Sequence, residues 1–316
     1  MTIFETGPEL LGRLRSATVR DLAWVLTAPP LLHSPEDQRH PLSASTWSEK
    51  PDQLNDWLIA LDHDDSSLTA YVERVRSRRL GHYYEALWQF ALAHAPGITV
   101  VAANVPVRDH GRTLGEMDLL YQDDAGVHHV EFAVKFYLGP ETQEATDLYA
   151  WRGTDVTDQL GTKVERLRNR QLAITRTPEG QAALNAYTDV IPRASMWMGG
   201  CLFYPEPPCS PPLGVHPLHL RSRWLRRFAW ESLQDAGEWQ PLTRRQWFAP
   251  ILCTNEERWD NTMTGAWLNA RPQPLPGTML ARFERKDAFT WQEVERVLMM
   301  DDHWPEFEHE PQASSP

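Results

Sequence analysis

Between residues 115 and 138 the chain alternates apolar and polar side chains on either side of the short cluster Asp123-Asp124-Ala125-Gly126, and few structures are open to such a pattern. A period of two belongs to β-strands, and Asp and Gly between two such runs mark a turn, so the segment predicts an antiparallel hairpin. One face carries Met117, Leu119 and Tyr121, then Val130, Phe132 and Val134. It is apolar and needs a core. The other carries Glu116 and Asp118, then His129, Glu131 and Lys135. A two-residue turn at Asp124 and Ala125 sets Asp118 opposite Glu131, and a shifted loop sets it opposite Ala133. Both registers preserve parity, so both keep the acids and the lysine together.

The hairpin sits inside a longer order. Helical spacing predicts helices over 67–79 and 83–94, the second with Tyr84, Leu87, Trp88 and Ala91 on one side and stopped by Pro96 and Gly97. Strands are predicted over 98–107, 115–122 and 127–138, a helix over 155–172 and a strand over 196–204. The sequence therefore predicts an α/β fold with an α-β-β-β-α-β core over 66–205. Residues 1–65 form a helical, loop-broken segment, with a helix over 19–26 ended by Pro29 and Pro30 and a polar loop over 34–51. Residues 206–305 lean towards β, with strands expected over 218–230, 247–253, 278–283 and 297–300, and residues 306–316 read as a frayed tail.

Composition removes several classes of function. Hydrophobic residues at 41% and charged residues at 23% exclude disorder over most of the length. No apolar run approaches the roughly 18 residues of a membrane span, and the early acids do not fit a signal core, so a cytoplasmic chain without a membrane partner is expected. Cys201, Cys209 and Cys253 fit neither a disulfide frame nor a zinc site and read as reduced thiols. Glycine-rich phosphate loops and a Gly-x-Ser-x-Gly elbow are absent. His128 and His129 are adjacent on a strand, point to opposite faces and cannot share a metal; His129 is expected at the site edge or in solvent. The net charge of −12 argues against coating nucleic acid with the whole surface. The cations are nonetheless clustered, as Arg74, Arg76, Arg78 and Arg79, as Lys163, Arg166, Arg168 and Arg170, and as Arg221, Arg223, Arg226 and Arg227. A local stripe of that kind can hold phosphates, and a solvated helix face looks the same.

Hydrolysis of a phosphodiester calls for a hard divalent cation, Mg2+ or Mn2+, held by one or two carboxylates. Asp118 and Glu131 across the hairpin supply such a pair, and Lys135 on the same face can orient a water or stabilise negative charge. Glu85, in the helix before the first strand, can close the metal shell, or can be an acid favoured near a helix N-terminus. In the later helix Lys163, Arg166 and Arg170 fall at i, i+3 and i+7, a face fit for a phosphate backbone, and Gln171 follows them as a possible hydrogen-bond donor to substrate. A solvated ladder on any half-buried hairpin gives a similar polar face. Two features argue for a site: the α-β-β-β-α-β order, and the apolarity of residues 130–137 around Glu131 and Lys135, where a charge is costly unless paired or used.

The run Gly115-Glu116-Met117-Asp118-Leu119-Leu120, followed by Ala133-Val134-Lys135, resembles the Gly-Glu-Ile-Asp-Leu … Glu-Val-Lys signature of Holliday-junction-resolvase-like PD-(D/E)XK nucleases. The resemblance covers about a third of the chain and implies a metal-binding acid at Asp118, the lysine at Lys135 and the first-helix acid at Glu85. The position two before the lysine, normally Glu, is Ala133; Glu131 lies on the same face about 6–7 Å back along the strand. Over nearly its whole length the chain also resembles a bacterial family filed as domain of unknown function 1853, through Leu80-Gly-His-Tyr-Tyr-Glu85, residues 115–120, 131–139 and 163–172, and Asp302-His-Trp-Pro305. That likeness implies a self-contained protein and no particular activity. Three readings follow: a Mg2+-dependent nuclease acting on DNA in preference to RNA; a nuclease-derived nucleic-acid-binding module that has lost the chemistry, which Ala133 favours; and a protein scaffold, which the net charge favours.

Overall fold

The computed structural model describes residues 3–34, 36–77 and 79–305. The tail over 306–316 and Arg78 lie outside the described residues. Among the described residues nine strands form one mixed sheet running through both halves of the chain: β1 (Thr99–Asp109), β2 (Arg112–Asp123), β3 (Gly126–Leu138), β4 (Arg193–Tyr204), β5 (Leu220–Arg226), β6 (Trp239–Pro241), β7 (Leu252–Thr254), β8 (Thr278–Arg285) and β9 (Thr290–Met300). The order across the sheet is β1-β2-β3-β4-β5-β9-β8-β6, with β7 pairing β9. The β1-β2-β3 meander is antiparallel, the run β3-β4-β5-β9 is parallel, and β8, β6 and β7 are antiparallel again.

The parallel centre explains the apolar sequence of its strands. Parallel strands are covered on both faces, so they lose the polar half of the alternation. β4 is buried from Ser195 to Tyr204. On β3, Val130 and Phe132 pack with the N-terminal helices α2 (Ala17–Thr27) and α6 (Leu80–His94), beside Trp24, Trp88 and Trp197. The alternate residues Ala133 and Tyr137 pack on the opposite face with Trp151, Leu160, Val164 and Leu167, from the crossover between β3 and β4. Helix α6 is buried almost all round, from Tyr83 to Leu92, as expected of a helix caught between a sheet and other helices. Those others are α1 (Ile3–Arg13), α3 (Thr46–Glu49), α4 (Pro51–His63) and α5 (Ser66–Glu73). The crossover carries α7 (Leu160–Arg166) and α8 (Pro178–Leu184), and the last part of the chain carries α9 (Trp230–Gln234) and α10 (Asn261–Asn269).

The structure corrects several expected spans. The helix expected over 67–79 ends at Glu73, where a run of like-charged arginines offers no i,i+4 pairing to continue it. The helix expected over 155–172 begins at Leu160. The residues before it form a loop in which the Asp155 carboxylate accepts the Thr157 N–H at 2.9 Å. The strand expected over 247–253 shrinks to β7, because Trp247 and Phe248 are spent as a buried loop plug beside Trp24, Tyr83 and Phe136. The last strand begins at Thr290 instead of Val297; its polar first half hides charges that are paired, Arg296 with Glu293 and Arg223 and Arg282 with Glu295.

Two glycines allow close approaches around the hairpin. A Cβ at Gly115 would lie 2.7 Å from Ile174 Cδ1, where the crossover crosses β2. Gly200 has φ +133°, and a Cβ there would lie 1.7 Å from the Lys135 carbonyl oxygen. Gly200→Ala is therefore expected to destabilise the protein by about 3 kcal/mol or more, read as a lower urea midpoint at unchanged slope, since both the backbone conformation and the spacing of β3 to β4 forbid the methyl group.

Candidate active site

Asp123 pairs with Gly126 and Leu119 with Val130, so the loop is the two-residue turn Asp124–Ala125. Continuing that register by one step sets Asp118 opposite Glu131. The Asp118 carboxylate accepts the Phe132 N–H at 2.8 Å, reaching across the ladder to the neighbouring strand. Glu131 is fully buried. Its Oε1 lies 2.8 Å from His129 Nε2, two residues back on the same face. Its Oε2 accepts a hydrogen bond from the Gln171 amide. His129 is fully buried, which corrects the expectation of an edge or solvated ring: it braces Glu131 from below.

Gln171 reaches Glu131 through an irregular helix. After Arg166 the i,i+4 ladder of α7 opens into a π turn, Leu167–Gln171, and then tightens to a 3-10 turn, Leu172–Arg176. π turns insert an extra residue, re-aim the side chains that follow and recur at functional sites. Lys163, one turn into α7, donates to Gln171 Oε1 at 3.1 Å, so lysine and amide converge above the acid pair. Arg166 and Arg170 remain exposed, and Arg170 donates to the Leu114 carbonyl on β2 at 3.1 Å. Of the four residues expected to contact substrate, the structure gathers Lys163 and Gln171 to the acids and leaves Arg166 and Arg170 at the surface.

Lys135 is turned towards a partner that the sequence pattern did not reveal. Its ammonium pairs with Asp158 Oδ2 at 2.6 Å, and Tyr137, next on the same face, donates to Asp158 Oδ1 at 2.9 Å. Asp158 lies in the loop before α7, with no periodicity to flag it.

The electrostatics show that these groups share one neighbourhood. Burial pushes the Asp118 carboxyl well above its ordinary range, and the charges of Glu131 and Glu85 add to this, while the Phe132 N–H and Lys163 oppose it. Burial pushes Glu85 up to about 7, with Glu131 and Glu116 reinforcing the rise and Lys163 working against it. Burial also lowers Lys163, as does Lys135, while Glu131 and Asp118 hold its proton on. Glu85, Asp118, Glu131 and Lys163 thus feel one another in a partly dry place, with Lys135 within electrostatic range of Lys163. The hard oxygen donors of Asp118 and Glu131 suit Mg2+ or Mn2+, for which one or two carboxylates suffice when water and substrate supply the rest. Among the described residues no three His, Cys, Asp or Glu side chains form a ready-made metal cage, so Glu85 stands as an electrostatic neighbour of the pair and not as a preformed third ligand.

Glu85 also lines an open cleft of about 530 Å³ together with Glu116, Arg74, Arg76, His82 and Asn104. The first arginine cluster of the sequence thus borders the acids. Asn104 is a non-glycine residue at φ +54°, held by Gln89 at 3.4 Å, an uncommon backbone state that recurs at functional sites.

A family model described as "Domain of unknown function (DUF1853)" matches residues 20–300. No curated protein and no solved structure matches the chain.

The raised Glu85 pKa has a signed consequence. A carboxyl whose folded pKa exceeds its unfolded value binds more protons in the folded state, so its contribution is present at low pH and is lost as pH rises from about 4.5 through about 7. Glu85→Gln is expected to raise unfolding free energy at pH 8 by roughly 1–2 kcal/mol, after allowance for solvent screening, and to leave it unchanged at pH 4.5. Urea titrations at the two pH values check this, and an equal effect at both would contradict it.

Proposed function

The chain belongs to the DUF1853 family, and from its acid–amine cluster we infer a metal-dependent nuclease that hydrolyses phosphodiester bonds, with DNA as the preferred substrate. The observation that carries this reading is the opposition of Asp118 and Glu131 beneath Lys163 and Gln171, with Glu85 and Lys135 in electrostatic range. The observed order α6-β1-β2-β3-α7-β4 and the Gly115–Leu120 and Lys135 motif support a PD-(D/E)XK-like core.

In this reading Asp118 and Glu131 hold Mg2+ or Mn2+, with Glu85 assisting. The bound cation would neutralise phosphate charge and acidify a water. Lys135, held by Asp158 and Tyr137, presents a fixed positive charge at the attacking side. Lys163 lies over the acids and can meet the charge that develops on the phosphoryl oxygens. Gln171 leaves Glu131 to contact substrate or stays to orient the carboxylate. Arg74, Arg76 and His82 at the cleft, and Arg166 and Arg170 on the exposed face of the crossover, offer the backbone phosphates a local stripe on an acidic protein.

A second reading, a fold that binds nucleic acid without cutting it, is favoured by Ala133 and by the hydrogen bonds that occupy both Glu131 oxygens. Nicking of supercoiled plasmid with Mg2+ or Mn2+ separates the two. Asp118→Asn is expected to lower divalent-dependent cleavage by about 100-fold or more and to weaken cation binding in calorimetry. It is expected to leave the melting temperature equal or higher, because the variant removes a carboxyl that the folded state holds at a cost. Cation affinity in the wild-type protein is expected to rise with pH, since Asp118 and Glu85 must lose protons to bind. Salt-sensitive DNA binding without cleavage, indifferent to Asp118→Asn, would favour the second reading.

A further inference from the structure

The polar cleft beside Glu85 lies between the loop after α5, one side of α6 and the outer strands β1 and β2, and encloses about 530 Å³. That volume falls in the range of small-molecule sites. The sheet fixes where the cleft stands relative to the acids. Ala103 pairs with Leu119 and Val105 with Met117, so Asn104 of β1 falls opposite Asp118. Asp118 in turn falls opposite Glu131, and the three stand in one row across β1, β2 and β3. The cleft and the row are also joined electrostatically. The charge of Glu85 acts on Asp118, and those of Glu131 and Glu116 act on Glu85.

The rest of the lining joins free cations to loosely held amides. Arg74 and Arg76 are exposed, and neither forms an ion pair among the described residues. Gln89 is only 8% exposed, yet both hydrogen bonds of its amide are long. It accepts from the Tyr71 hydroxyl and donates to Asn104 Oδ1, each at 3.4 Å. Bonds of that length lie at the weak edge of the range, so a better partner displaces them at little cost. Asn104 Nδ2 donates to no described residue. Asparagine and glutamine are the side chains that pair a base edge through two hydrogen bonds, and the arginine fork fits phosphate. Because Gln89 is buried, a base edge meets it only by entering the cleft, and a base that enters has left its stack.

We propose, on the nuclease reading of the acid pair, that this cleft receives one unpaired nucleotide of a DNA strand. Its base edge meets Gln89 and Asn104, with Tyr71 as the aromatic wall, and its flanking phosphates meet Arg74 and Arg76. The neighbouring phosphodiester then lies at Asp118 and Glu131. The substrate class is accordingly single-stranded DNA, or a duplex that ends in a single strand.

Fluorescence anisotropy of the full-length protein in EDTA, which withholds the divalent cation, would compare a labelled single strand, a duplex with a single-stranded overhang and a blunt duplex. The first two are expected to bind about tenfold or more tighter than the third. Asn104→Gly is expected to weaken single-strand binding about fivefold at an unchanged melting temperature, since glycine adopts the φ of +54° freely. Arg74→Ser combined with Arg76→Ser is expected to flatten the slope of log affinity against log salt by about 1.4, the share of two single-strand phosphates. Equal binding of single strand and blunt duplex, an Asn104→Gly variant that binds like wild type, or an unchanged salt slope would each overturn the proposal. Plasmid nicking separates it from the reading beneath it. Nicking without single-strand preference keeps the nuclease and removes this subsite, whereas Asn104-dependent single-strand preference without nicking keeps the subsite and removes the nuclease.

Discussion

Two carboxylates facing each other on neighbouring strands, closed over by a helix, are the arrangement to which the rest of this protein is fitted. Asp118 and Glu131 could sit further apart at no cost to the sheet, and in water they would repel weakly. Enclosed, burial lifts the Asp118 and Glu85 carboxyls above ordinary carboxyl behaviour, and the charge of Glu131 adds to the rise. The surroundings hold the acids in place without neutralising them. A backbone N–H steadies Asp118, a histidine ring and an amide steady Glu131, and Lys163 hangs above with its own proton weakened. A structure concerned only with stability would replace such a pair by apolar side chains of similar volume at little loss.

Strand β3 is where the layers meet. Its even-numbered residues complete the core beneath the N-terminal helices, its odd-numbered residues face the crossover, and its edges pair with an antiparallel strand on one side and a parallel one on the other. A strand held on four sides has little freedom to slide. That rigidity keeps the spacing between Glu131 and Lys135 constant while the crossover above them is built from shorter, irregular turns. The same strand sends Phe136 to the far face, against Phe203 and Trp247.

The hairpin was readable from residue order because a period of two survives in both strands and Asp123 to Gly126 marks the turn; residue order left Asp118 opposite either Glu131 or Ala133, and the two-residue turn of the structure selects Glu131. The helix over 83–94 was readable for the same reason of period. Asp158 was not, since it lies 23 positions from Lys135 in the chain and their link depends on how the crossover folds back. The burial of His129 was hidden because a histidine on a polar strand face looks the same whether a helix covers it or water does. Trp247 and Phe248 misled as a strand: an apolar pair reports only that it is buried, and a plug and a strand bury equally well. The arginines at 221, 223 and 226 read as a possible anion stripe, yet two of them are tied to glutamates across the sheet, and only the fold distinguishes the one that is not.

The π turn at Leu167–Gln171 bears on how access to Glu131 is controlled. A helix that is one residue overfull in a single turn can shed the excess by passing it along the backbone, exchanging wide turns for narrow ones while its ends stay anchored. The narrow 3-10 stretch directly after it is where that slack would go. Gln171 stands at the junction of the two, so a small rewinding would swing its amide off the carboxylate without displacing Lys163 or the packed body of α7. Such a move would exchange two hydrogen bonds, Gln171 to Glu131 and Lys163 to Gln171, for contacts with water or substrate.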